Sequence, residues 1–310
     1  MQDLTPVRTP LIRSPWLSDA TGAHVWLKLE CLQPTGSFKI RGAWNALATL
    51  RARDPDARAV TTASAGNHGL ALATAAAALG FTTRVHIPRT APAAKRDALA
   101  RAGATVIDAD TYDDAEANVR EEAAAGGVTF ISAYSHSDVI AGAGTIAIEM
   151  LEDQPALDLI VVPVGGGGLI SGIALAARAH ASPVEIVGAE AAASPVFTAA
   201  LAAGRPVTVD VHDTLADGLA GNMEPDSQTF GLVRDHVSRV MPVDEPAIAR
   251  AMRDLIHRER LVVEGASAVA IAALLALGDD VRGRRVGVVL SGRNVDPRTI
   301  ARVLDTGGAD

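Results

Sequence analysis

Short runs of β-branched and other apolar residues alternate along this chain with longer Ala-rich stretches. VWLKLE (25–30), AVTT (59–62), RVHI (84–87), TVID (105–108), TFIS (129–132), LIVVPV (159–164), EIVGA (185–189) and RVGVVL (285–290) read as strands, because short β-branched runs suit buried positions in a sheet. The stretches between them read as helices. In ALATAAAALG (71–80) the alanines combine high helix propensity with little bulk, which suits close packing on a sheet, and Gly80 is placed as a C-terminal cap. This repetition predicts an α/β fold of parallel strands with helices on both faces. The most apolar stretch, LVVEGASAVAIAALLALG (261–278), contains Glu264 and reads as a buried strand end and helix rather than a bilayer span.

At 310 residues and 48% hydrophobic, the chain can bury one large core or two packed lobes. Its 28 Lys and Arg against 36 Asp and Glu give a net charge of -8, with no block of like charge. That balance argues against nucleic acid or an anionic membrane as partner. The first 30 residues lack a basic start followed by an apolar run, so no secretory signal is read. The single cysteine, Cys31, rules out an internal disulfide, and a cytoplasmic protein is expected. No repeat or linker marks a domain boundary, a pattern that insertion of one α/β unit into another would leave.

Three Gly- or Ser-rich loops each follow an expected strand: SAGNH (64–68), GGGG (165–168) and SGRN (291–294). In open α/β sheets ligands bind outside the carboxyl ends of the strands. Gly165, Gly166, Gly167 and Gly168 lie between LIVVPV and LISGIALAARA, so their N–H groups should converge at a helix N-terminus, a phosphate site. A turn that merely packs needs fewer glycines. A dinucleotide fingerprint fails on spacing, since counting from Gly165 or Gly166 puts Ile170 or Ser171 at the sixth position. Lys39 lies in PTGSFKIRGAWNALATL, where a turn of Pro34, Thr35, Gly36 and Ser37 opens an expected helix. A lysine near an anion site can act as a Schiff-base nucleophile, although a solvated lysine in a first helical turn is the commoner case.

PTGSFKIRGA, SAGNH, PVGGGGLISG, ADGLA (216–220), VVEGASA (262–268) and VLSGRNVD (289–296), in this order, resemble the threonine dehydratase and serine racemase branch of the fold-type II enzymes that use pyridoxal 5'-phosphate (PLP). The resemblance runs from about Thr9 to Asp296. It implies a tryptophan synthase β-like fold of two open parallel-sheet lobes: a large PLP-binding domain of residues 1–49 and 139–310, and a small inserted domain of 50–138, with the cofactor in the cleft between them. It implies that Lys39 carries PLP as a Schiff base and that Phe38 lies against the cofactor ring. Gly165 to Gly168 and the Leu169 amide would hold the phosphate, Asn67 the ring hydroxyl and Ser291 the pyridine nitrogen, with Gly218 on the other ring face. Ser64, Ala65, Asn67 and His68 would form the substrate site, where the start of a helix receives the carboxylate. The implied reaction is dehydration and deamination of L-threonine or L-serine to 2-oxobutanoate or pyruvate and ammonia. Lys39 would be the base at Cα, and the neutral Ser291 would favour expulsion of the β-hydroxyl over transamination.

The chain also departs from the pattern. Serine racemases of this branch usually carry a second serine where this chain has Ala65, a hydroxyl that acts as acid and base on the face opposite the lysine. Its loss predicts elimination over racemisation, unless another side chain or a water replaces it. Several relatives bind a divalent cation through a Glu, a carbonyl four residues on and an Asp six residues on. Here Glu190 and Ser194 match but the third position is Val196, so no required metal is expected. Arg293 stands where glycine is usual; it is read as pointing to solvent, the alternative being the carboxylate of an unusual substrate. The loop AYSHSDVIAGAGT (133–145) is atypical at Ser135, His136 and Ser137. The chain ends soon after SGRN, so no C-terminal regulatory domain is expected, and a homodimer is the expected assembly. The competing readings are a serine racemase, a dehydratase of another 3-hydroxy amino acid, a nucleotide-binding module using GGGG, and a cofactor-binding protein without activity.

Overall fold

The computed structural model describes residues 4–224 and 226–305. Its elements in chain order are β1 (Leu11–Arg13), α1 (Pro15–Thr21), β2 (His24–Lys28), α2 (Lys39–Arg53), β3 (Ala59–Ala63), α3 (Asn67–Leu79), β4 (Thr82–Pro88), α4 (Ala93–Arg101), β5 (Ala104–Ala109), α5 (Tyr112–Ala125) and β6 (Thr129–Phe130). They continue with α6 (Ser137–Asp153), β7 (Leu159–Pro163), α7 (Gly168–Ala179), β8 (Glu185–Ala191), α8 (Val196–Ala203), α9 (Thr229–His236), β9 (Arg239–Val243), α10 (Glu245–Asp254), α11 (Gly265–Ala276), β10 (Arg285–Val289) and α12 (Pro297–Asp305). The chain divides into two compact units, Met1–Val7 with Gln33–Ala143 and Arg8–Leu32 with Gly144–Asp310. The boundary expected at residue 50 falls inside α2. That helix packs on α3 through Ile40, Ala43 and Leu47 against Leu72 and Ala75, which is why residues 33–49 group with the smaller unit.

The smaller unit holds a four-stranded sheet in the order β5-β4-β3-β6, parallel throughout. The larger unit holds a six-stranded sheet in the order β1-β2-β10-β7-β8-β9. All its neighbours run parallel except β1, which pairs antiparallel with β2. Two strands escaped the sequence pattern, and both are sheet edges. β1 has three residues, and β9 contains Pro242, whose missing N–H is tolerated where a strand has no second neighbour.

The core of the larger unit joins Val25, Leu27, Leu159, Val161, Val187 and Val288 to Val269, Ile271 and Leu274 of α11. Residues 265–274 of α11 are buried all round, which explains the uniformly apolar sequence there. The lead-in at Leu261–Glu264 is not a strand, contrary to expectation. Among the described residues no helix is long and apolar enough to cross a membrane.

Topology arranges the loops. GGGG follows β7 and SGRN follows β10, and these strands are parallel neighbours, with Leu159 opposite Val286 and Val161 opposite Val288. The two loops therefore leave the same edge of one sheet side by side. In the smaller unit SAGNH follows β3 in the same way.

Candidate active site

Lys39 is the first residue of α2, with Phe38 at the N-cap. Its Nζ donates to the Ala133 carbonyl at 2.9 Å and lies 5.1 Å from the centre of the Phe38 ring. Ser132 shapes the turn that presents this carbonyl, its Oγ accepting from the N–H groups of Tyr134 (3.4 Å) and Ser135 (3.1 Å). A half-buried lysine is thus held by a neutral acceptor.

Ser64, Ala65 and Gly66 carry the chain from β3 into α3. A Cβ on Gly69 would sit 2.1 Å from the Ser64 carbonyl oxygen, so only glycine lets the first turn of α3 lie on this loop. No N-cap side chain closes the helix, and Ser64 Oγ instead accepts from Gly66 N–H at 3.3 Å. Uncapped N–H groups and the helix dipole suit a carboxylate here. Asn67 is the first helical residue. The methyl of Ala65 packs toward Val85, Ile87 and Leu99.

The side chain of His68 is turned into the protein. It is 2% exposed, and burial followed by the charge of Lys39 pushes its pKa down to about 3, so the ring is neutral. A carbonyl only accepts, so the contact of Nε2 with the Ile131 oxygen at 3.1 Å places the ring's single proton on Nε2. Nδ1 is then a buried acceptor without a partner. Only the backbone N–H of His68 remains to serve an anion.

In the larger unit Gly167 is the N-cap of α7, at φ +84°. A Cβ there would fall 2.6 Å from the Phe197 ring and 2.9 Å from Thr229 Cβ, so both backbone conformation and space demand glycine. Thr229 Oγ1 donates to the Gly166 carbonyl at 2.8 Å and fixes the loop from below. Gly168 and Leu169 open the helix, again without a side-chain cap. A Cβ on Gly165 would lie 3.0 Å from Leu219 Cα, so the ADGLA turn, with exposed Gly218, rests against the glycine loop. Ser291 is 3% exposed, and its Oγ lies 3.1 Å from Ser267 Oγ.

The expected residues thus assemble in two sets: Phe38, Lys39, Ser64, Ala65, Asn67 and His68 in the smaller unit, and Gly165–Gly168, Leu169, Gly218 and Ser291 in the larger. The family described as "Pyridoxal-phosphate dependent enzyme" matches residues 3–292. The chain belongs to the pyridoxal-phosphate-dependent enzymes. An L-threonine ammonia-lyase of Thermotoga maritima is 41% identical over 302 residues, 97% of this chain and 74% of the relative. An L-threo-3-hydroxyaspartate ammonia-lyase of a Pseudomonas species is 39% identical, covering 96% of this chain and 93% of its own. The crystal structure of serine racemase from Dictyostelium discoideum superposes with a TM-score of 0.86 at 32% identity over 94% of both chains.

The donor chemistry of this pyridoxal-phosphate-dependent enzyme suits its cofactor. The uncapped α7 N-terminus matches a phosphate dianion, the primary amine of Lys39 an aldehyde, and the buried uncharged hydroxyl of Ser291 a pyridine nitrogen. Three contributors were missed from sequence. Ser267 lies in VVEGASA, recognised as a motif but given no role, whereas Thr229 and the Ala133 carbonyl had no local signal.

Glu190 has a structural task. Its carboxylate accepts from the N–H groups of Phe197 (3.0 Å) and Thr198 (2.8 Å), capping α8, while burial pushes its pKa up. Arg293 is exposed.

Proposed function

We propose that this enzyme is an ammonia-lyase of small β-hydroxy amino acids, converting L-threonine or L-serine to 2-oxobutanoate or pyruvate and ammonia. The observation that carries the reading is the 41% identity to an L-threonine ammonia-lyase over 97% of the chain. When bound, pyridoxal phosphate supplies the electron sink that acidifies the Cα proton of an amino acid joined to it.

The proposed roles are those that the family resemblance implies. The amides of Gly165 to Gly168 and Leu169 would hold the phosphate, Asn67 the ring hydroxyl and Ser291 the ring nitrogen, with Phe38 and Gly218 against the ring. The α3 N-terminus, through Ser64, Asn67 and the backbone N–H of His68, would receive the substrate carboxylate. Lys39 would hold the aldehyde of the cofactor, and its amine, when free, would be the base that takes the Cα proton. With a methyl at Ala65 no second side chain there can return a proton to the opposite face, so elimination outruns racemisation. Ser291 supports the same outcome, because an uncharged hydroxyl does not force the ring nitrogen to stay protonated.

A second reading, a 3-hydroxyaspartate substrate, is favoured by the 39% identity to the Pseudomonas lyase and by the exposed cation of Arg293. The proposal extends to a cytoplasmic homodimer with no required metal. A panel of β-hydroxy amino acids assayed for keto acid and for D-serine tests it. L-Threonine or L-serine is expected to give keto acid, with Lys39→Ala at least ~100-fold slower. Undiminished turnover in Lys39→Ala, or D-serine as the main product from L-serine, would overturn the mechanism.

A further inference from the structure

A cavity of about 960 Å³ opens in the larger unit, walled by the segment Val211–Ala220 on one side and by α10 and α12 on the other. Its volume is of the order of a small-molecule site, roughly 300–1,000 Å³. Three guanidinium groups line the helical wall: Arg250 and Arg253, three residues apart and so on one side of α10, and Arg302 on α12. Arg253 is braced by donating to the Val303 carbonyl at 3.2 Å. Among the described residues the side chains of Arg250 and Arg302, both exposed, make no hydrogen bond or ion pair. Elsewhere in the chain arginines that meet carboxylates pair with them, as Arg84 does with Glu122 and Arg284 with Glu185.

The acid in the helical wall is engaged elsewhere. Glu245, also in the wall, has both oxygens engaged, one by the Thr214 hydroxyl and the other by the Leu215 N–H at 2.8 Å. Asp213 and Asp217 belong to the loop wall, so the helical wall is cationic and the loop wall anionic. Guanidinium forks recognise phosphate and carboxylate groups with two parallel hydrogen bonds, which a solvated surface arginine leaves to water.

We propose that this cavity binds a small multivalent anion, a phosphate ester or a polycarboxylate, gripped by Arg250 and Arg302. The test is calorimetric titration of the pyridoxal-phosphate-loaded enzyme, whose cofactor phosphate site is filled, with inorganic pyrophosphate and separately with citrate at fixed ionic strength. Saturable binding of at least one probe is expected, weakened at least about tenfold in the Arg250→Ala/Arg302→Ala double variant. Arg250→Lys/Arg302→Lys, which keeps the charge but not the fork, is expected between the two. Pyrophosphate alone would assign the phosphate class and citrate alone the polycarboxylate class. No saturable binding of either probe, or equal binding by wild type and both variants, would overturn the proposal.

Discussion

Ser267 Oγ lies 3.1 Å from Ser291 Oγ, accepts from Gly292 N–H at 2.7 Å and donates to the Gly292 carbonyl at 2.8 Å. One hydroxyl from α11 thus sets both the backbone and the side chain of the loop after β10. Ser267→Ala is expected to lower stability by about 1–3 kcal/mol, since it strands buried polar groups. Cofactor affinity should fall as well, because Ser291 loses its orientation. Thermal unfolding and a cofactor titration check both effects, and unchanged affinity would show that Ser291 orients itself.

The buried His68 makes stability depend on pH. The folded protein holds the ring neutral down to about pH 3, whereas the unfolded chain takes up a proton near 6.5. Stability from this group is full above about pH 6.5 and is lost as pH falls toward 3, by up to about 1.4 kcal/mol per pH unit. His68→Gln keeps a donor for the Ile131 carbonyl but cannot titrate. Its unfolding free energy, measured between pH 6.5 and 4, is expected to fall less steeply by about one proton; parallel curves would place the acid sensitivity elsewhere.

Ala65 governs the reaction proposed here through what it lacks. Ala65→Ser restores a hydroxyl at the start of the α3 loop, and the ratio of D-serine to pyruvate formed from L-serine is expected to rise about tenfold or more. Chiral analysis of the product mixture reads the ratio directly. An unchanged ratio would mean that proton return at Cα is limited by something other than this side chain.

Several of the residues that matter were legible one by one. Gly167 must be glycine because a left-handed N-cap against Phe197 tolerates nothing larger, and a run of four glycines between strand and helix announces that demand locally. The same holds for parallel strands inferred from β-branched runs, because buried strands must be apolar on both faces. The edge strands β1 and β9 were invisible for the converse reason: one is too short and the other carries Pro242.

The sequence by itself determined the α/β class, the loops that follow β3, β7 and β10, and Lys39 near the start of a helix, because strand burial, glycine conformation and helix starts are written in neighbouring residues. Tertiary structure alone decided what those residues touch. The amine of Lys39 meets a carbonyl 94 positions away, His68 loses its free N–H to a carbonyl 63 positions away, and Ser291 is set by a hydroxyl 24 positions away. Such partners are chosen by how strands are ordered and helices packed, and no local pattern encodes them.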